Sequence, residues 1–379
     1  MKRALVSLSL AIALTGAVAL AEEPTGITLP PDGGNQHATV TQGLGLVTVS
    51  IDYHSPRVVR NGDDRRGKIY GKLVPYGMQK TLGYGTCTQC PWRAGANENT
   101  IFTTSHDVKI EGQPLPAGSY GLHMIPGETD WTIIFSKNSS SWGSFWYDPS
   151  QDALRVNVKP AKSEYHEFLT YEFPEREIGR AVAAMKWEDL SVPFTITVDN
   201  PYELYIGQLR NQLHGAASTP ENWDAAARFA LRAQVAPKDA LQWAQDAVNP
   251  NYGGREDFQT LSTLSEAQEA NGLTAEAKAT QEKALNSPTA TVIDIHQYGR
   301  QLMAQGKKAE ALAVFELNAK KHPNEWPVNV GLARGYSAAG RYKEALKYAK
   351  LAQAQAPDEG NRNSLKTGIE KLEAGKDMN

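Results

Sequence analysis

From Ala38 to about Asn200, apolar and polar residues alternate with a period of two. Val47, Val49, Ile51 and Tyr53 alternate with Thr48, Ser50, Asp52 and His54, as a strand with one face in a core requires. Tyr120, Leu122 and Met124 alternate with Ser119, Gly121 and His123. The same period runs through Trp131, Ile133 and Phe135, then Leu154, Val156 and Val158, then Leu169, Tyr171 and Phe173, and finally Phe194, Ile196 and Val198. Turn signals separate these runs at Glu111-Gly112, Pro116-Ala117-Gly118, Pro126-Gly127, Asp148-Pro149 and Lys159-Pro160. Many short strands without a helical period between them predict an antiparallel β-sandwich or barrel over residues 41–200.

After Asn200-Pro201 the pattern changes. Alanine becomes abundant and similar residues recur at one spacing. Gly272, Gly306 and Gly340 are 34 residues apart, as are Ala277, Ala311 and Ala345. Tyr298 matches Leu332, Leu302 matches Tyr336, and Pro323 matches Pro357. Small residues where paired helices touch, glycine in the turn and proline at the exit resemble tetratricopeptide repeats over residues 258–357. Residues 201–257 read as connecting helices with a degenerate repeat, and residues 358–379 as a capping helix and tail. The predicted fold is thus a β domain followed by an α-helical solenoid.

The N-terminus changes the expected compartment. Lys2 and Arg3 precede an apolar run from Ala4 to Leu14, and Ala19-Leu20-Ala21 supplies small residues for cleavage. Residues 1–21 therefore read as a secretory signal peptide, followed by an extended lead-in over residues 22–40. A periplasmic or secreted protein without a transmembrane anchor is expected. With 41% hydrophobic and 21% charged residues the chain has globular composition. A net charge of −3 and the lack of a basic tract argue against nucleic-acid binding. Cys87 and Cys90 are the only cysteines, and export favours a disulfide between them.

Several ordered motifs carry a second resemblance. They are GKIYGKLVPYG (Gly67 to Gly77), WRAGANENT (Trp92 to Thr100), LPAGSYGLHMIPG (Leu115 to Gly127) and WTIIFSKN (Trp131 to Asn138), followed by WG, YDP and LRV. Together they resemble exported bacterial proteins catalogued as domain of unknown function 2911, over roughly Thr41 to Asp199. That family implies no activity. Met78 to Pro91 interrupts its pattern, and this insert holds both cysteines.

The densest polar stretch is Trp92 to Pro126. Arg93, Asn97 and Glu98 sit among small residues, where Arg93 could clamp a carboxylate or phosphate and Glu98 could act as a base or metal ligand. The bland alternative is a buried Arg93–Glu98 pair holding a loop. Trp92 and Trp142 are further ligand-binding candidates, Trp142 within an aromatic group with Phe145, Trp146 and Tyr147. His54 and His123 fall on the polar phase of their strands. With Glu98 and His106 they would suit Zn²⁺, Cu²⁺ or Fe²⁺ if they converge. No HExxH, GxSxG, GxGxxG or P-loop motif occurs. The reading favoured by sequence is an exported binding and scaffold protein, its repeats holding a protein or peptide partner. The alternatives are a metal-dependent hydrolase or oxygenase, and thiol-disulfide exchange at Cys87 and Cys90.

Overall fold

A computed structural model describes residues 35–80 and 83–379. The expected signal peptide and the lead-in up to residue 34 lie outside the described residues. The chain divides into two units, residues 1–199 and 200–379.

The first unit is built on antiparallel sheets. Six strands pair in the order β1 (Gln36–Leu44), β2 (Val47–Ser55), β5 (Thr100–Thr104), β8 (Gly118–Ile125), β9 (Trp131–Ser136) and β10 (Asp152–Val158). Four pair in the order β11 (Ala161–Glu177), β12 (Arg180–Thr197), β6 (Val108–Ile110) and β7 (Gln113–Leu115). A small ribbon joins β3 (Val59–Arg60) to β4 (Asp63–Asp64). β1 begins at Gln36, so part of the stretch expected as an extended lead-in is strand.

The two main sheets meet through large rings. Phe102 of β5 and Phe135 of β9 are 5.1 Å apart, and Phe194 of β12 reaches both. Tyr53 of β2 packs edge-on against Tyr171 of β11 at 4.9 Å. All five are buried, so period-two alternation in β2 and β9 translates into one shared core. The Ser55 hydroxyl donates to the Leu169 carbonyl (2.7 Å), tying the sheets where β2 ends. This is a sandwich, not a closed barrel.

The second unit contains α1 (Pro201–Gln212), α2 (Pro220–Ala233), α3 (Pro237–Val248), α4 (Phe258–Ala270), α5 (Thr274–Asn286), α6 (Val292–Ala304), α7 (Lys308–Lys321), α8 (Trp326–Ala338), α9 (Tyr342–Ala354) and α10 (Glu359–Glu373). The spaced glycines close the hairpins. Gly272, Gly306 and Gly340 have φ of +76°, +77° and +73°, a left-handed turn that a side chain would strain. The next residue in each turn donates its backbone N–H to a carbonyl five residues back: Leu273 to Gln268, Lys307 to Leu302, and Arg341 to Tyr336. Helix starts are fixed as clearly. Asp257 with Thr260, and Thr291 with Asp294, form reciprocal capping boxes ahead of α4 and α6.

Packing depends on close approach. Phe315 of α7 is buried, and a Cβ added at Gly299 of α6 or at Gly331 or Gly335 of α8 would come within 2.4, 2.5 and 2.9 Å of its ring. One large ring thus fills space that three glycines leave open. No helix among the described residues is long and apolar enough to cross a membrane.

Candidate functional site

In the β unit, three irregular segments converge near the end of β8. Trp92 pairs with Met124 of β8 through two backbone hydrogen bonds of 2.8 Å. The insert is stitched to the loop after β9, because Thr86 and Cys87 both donate backbone N–H to the Phe145 carbonyl (3.0 and 2.9 Å). Cys87 and Cys90 are joined by a disulfide and packed with Ile134 and Tyr147. Burial limits attack by an external thiolate, so the bond is placed as a local clasp more readily than an exchange centre.

These segments enclose an open cleft of about 390 Å³, whose walls include Leu73, Tyr84, Trp92, Arg93, Ser144 and Phe145. The Arg93 guanidinium lies over the Phe145 ring at 4.8 Å and donates through Nη1 to the Asn97 carbonyl. Gly143 makes this position available: its φ is +57°, and a Cβ there would meet the guanidinium at 2.3 Å. Burial pulls the Arg93 pKa down, opposed by the charge of Glu98, but a guanidinium stays protonated. The other guanidinium N–H groups have no protein partner among the described residues. The cleft therefore offers aromatic surface beside a cationic fork, suited to a planar anion.

The other candidates part ways. Glu98 does not pair directly with Arg93; its Oε2 lies 3.2 Å from His54 Nδ1. Asn97, at φ +57°, turns its side chain to accept from Asn35 (3.0 Å). Trp92 packs on Trp187 and Trp131, so only part of it faces the cleft. Trp142 is 48% exposed and does not line the cleft. Tyr84 and Phe145 complete the walls, and no sequence periodicity pointed to them as partners. The available signal was two glycines, Gly85 against Phe145 and Gly143 against the Arg93 guanidinium.

His123 corrects a sequence expectation. It alternates with apolar residues in β8 but is only 2% exposed, because the loop after β9 covers that face. Its Nδ1 lies 3.0 Å from Ser144 Oγ. Burial, with the nearby Arg93 charge, pushes its pKa down to about 3. An imidazole that resists protonation is a poor general base, so this Ser–His contact lacks the poise of a nucleophilic dyad. His106 instead contacts Ser105 Oγ at 2.9 Å. Of the proposed metal set only His54 and Glu98 meet. Among the described residues, no three His, Cys, Asp or Glu side chains are grouped to hold a metal ion.

In the helical unit the first helices of successive pairs form one layer. Gln259 of α4 donates to Asp224 of α2 (2.7 Å). Ser262 Oγ, His296 Nδ1 and Arg334 Nε on α4, α6 and α8 are buried without a hydrogen-bond partner among the described residues. Burial and the charges of Arg300 and Arg334 push the His296 pKa down to about 4.

Comparison with known families finds two separate matches along the chain. Residues 35–196 match the family described as Protein of unknown function (DUF2911). Residues 302–369 match the tetratricopeptide repeat family. No curated protein matches the chain. Among solved structures, that from the functional characterisation of Pseudomonas aeruginosa pilF is 18% identical, with a TM-score of 0.32; the match covers 46% of this chain and 78% of that one. A thermophilic TPR protein of Thermus thermophilus, TTC0263, is 20% identical with a TM-score of 0.30, covering 46% of this chain and 91% of that one. MamA from Desulfovibrio magneticus RS-1 is 16% identical with a TM-score of 0.28, covering 43% of this chain and 98% of that one.

Proposed function

We infer that the chain is an exported binding and scaffold protein. Its tetratricopeptide-type unit holds a protein partner, and its β unit takes a ligand with a planar anionic group in the Arg93–Phe145 cleft. The observation that carries this reading is the set of unpartnered buried polar atoms at Ser262, His296 and Arg334 among the described residues. A buried polar atom without a partner is costly, and these three lie on the helix layer that repeat proteins use for recognition. Export is supported by the basic and apolar N-terminal pattern and by the Cys87–Cys90 disulfide, which persists in oxidising compartments.

The test is capture from an exported fraction on the full chain, compared with an Arg300→Ala/Arg334→Ala variant shown by circular dichroism to be folded. A defined partner retained by the first and lost by the second supports the reading. Retention that ignores the substitution, or no partner at all, counts against it.

A further inference from the structure

One end of the helical unit holds an open cleft of about 570 Å³. Trp223 of α2, Trp243 and Asp246 of α3, and Tyr252 of the turn before α4 line it, with Leu213 and His214 following α1. Trp243 belongs to the local core and Trp223 packs against that core from its edge. Tyr252 does neither: it is 56% exposed, yet its ring lies 5.6 Å from Trp223 at 60°. The two rings form a corner of aromatic surface.

The turn is fixed by its backbone. Asn251 N–H donates to the Asn249 side chain (3.0 Å), while Tyr252 and Gly254 donate to the Asn249 carbonyl (3.0 and 2.9 Å). A Cβ at Gly254 would sit 2.5 Å from the Ala247 carbonyl oxygen, so the turn packs tightly on the end of α3. Tyr252 is thus an exposed aromatic side chain on a well-tied backbone.

Asp246 supplies the charge. It follows Trp243 by three residues and shares that face of α3. Its Oδ1 accepts from Gln242 Nε2 (3.1 Å), and no cationic side chain pairs with it among the described residues. Aromatic faces and a carboxylate together favour a weakly hydrated cation. They repel anions, and an uncharged apolar guest would cover the carboxylate without compensating it.

We propose that the Trp223–Trp243–Tyr252–Asp246 cleft binds an organic cation, an ammonium or guanidinium group carrying alkyl substituents. The volume accommodates the head group and a stem, within the roughly 300–1,000 Å³ of ordinary ligand sites. Trp223 lies on α2, at the end of the first-helix layer, but the small-molecule test does not depend on capture of a protein partner.

The full chain is titrated by calorimetry with choline, tetramethylammonium, the N-acetyl methylamides of lysine and arginine, and the uncharged carbon isostere of choline. One saturable site is expected for a cation, weakened about tenfold or more by Tyr252→Ala or Asp246→Asn, with the isostere weaker than choline. Binding of the quaternary amines alone identifies a free small molecule as the source. Binding of the lysine or arginine derivative at least as tightly identifies a side chain of a partner. The proposal is overturned if no cation binds at tens of millimolar, if the isostere binds as well as choline, or if both folded variants bind unchanged.

Discussion

His123 is held uncharged because its position is both dry and next to a guanidinium. Its folded pKa of about 3 lies below that of a solvated imidazole, near 6.5, so the unfolded chain binds the proton more readily. The stability this contributes is complete above about pH 6.5 and is lost as pH falls toward about 3. Thermal unfolding of the β unit should therefore lose roughly 1–3 kcal/mol between about pH 6.5 and about pH 4.5 through this residue. A His123→Gln variant should show a shallower decline over that interval, because the proton-linked part is gone. Parallel declines for both proteins would show that His123 does not set the slope. His296 is depressed for a similar reason in the helical unit, so the two unfolding transitions have to be read separately.

Between elements, packing rests on a few complementary shapes. The Phe315 ring fills the gap beside Gly299, Gly331 and Gly335, so Gly331→Ala should destabilise the helical unit by about 1–3 kcal/mol through overpacking. Combining it with Phe315→Leu should recover part of that loss in urea unfolding, since the smaller side chain yields the space. Strict additivity of the two changes would refute the coupling. The helical hairpins were legible in sequence because each needs the same left-handed turn at the same spacing, and Gly272, Gly306 and Gly340 meet that need. Alternation revealed β2, β8 and β9 as strands, but it does not tell whether the polar-phase face is wet. β8 is covered on both faces, which hid the burial of His123. β11 and β12 run for 17 and 18 residues with register shifts at Lys162/His166, His166/Thr170 and Glu172/Glu175, so alternation revealed only fragments of them. The cleft was legible in part: Trp92 and Arg93 stand out by residue type, but Tyr84 and Phe145 join them through loop crossings that no local pattern encodes.

For the whole molecule, the two units differ in how far along the chain their contacts reach. The Ser55–Leu169 and Gly67–Glu188 hydrogen bonds of the β unit span 114 and 121 residues. In the helical unit the described side-chain hydrogen bonds span at most 45 residues, as at Arg334 and Asn379. Local contacts form at lower loop-closure cost, so refolding should be biphasic, with the helical unit protected first. Pulsed hydrogen exchange read by mass spectrometry on peptides from each unit checks this; simultaneous protection of both would contradict it. Synthesis turns the same difference into a question of waiting. β6 has to remain without its β12 partner until the stretch pairing Ile110 with Ile196 has emerged, while each helical hairpin can close on a neighbour just made. The half of the chain that is made first is the one whose sheet is completed late. A nascent chain halted before Ile196 would leave β6 and β7 as an unpaired edge, open to the wrong strand.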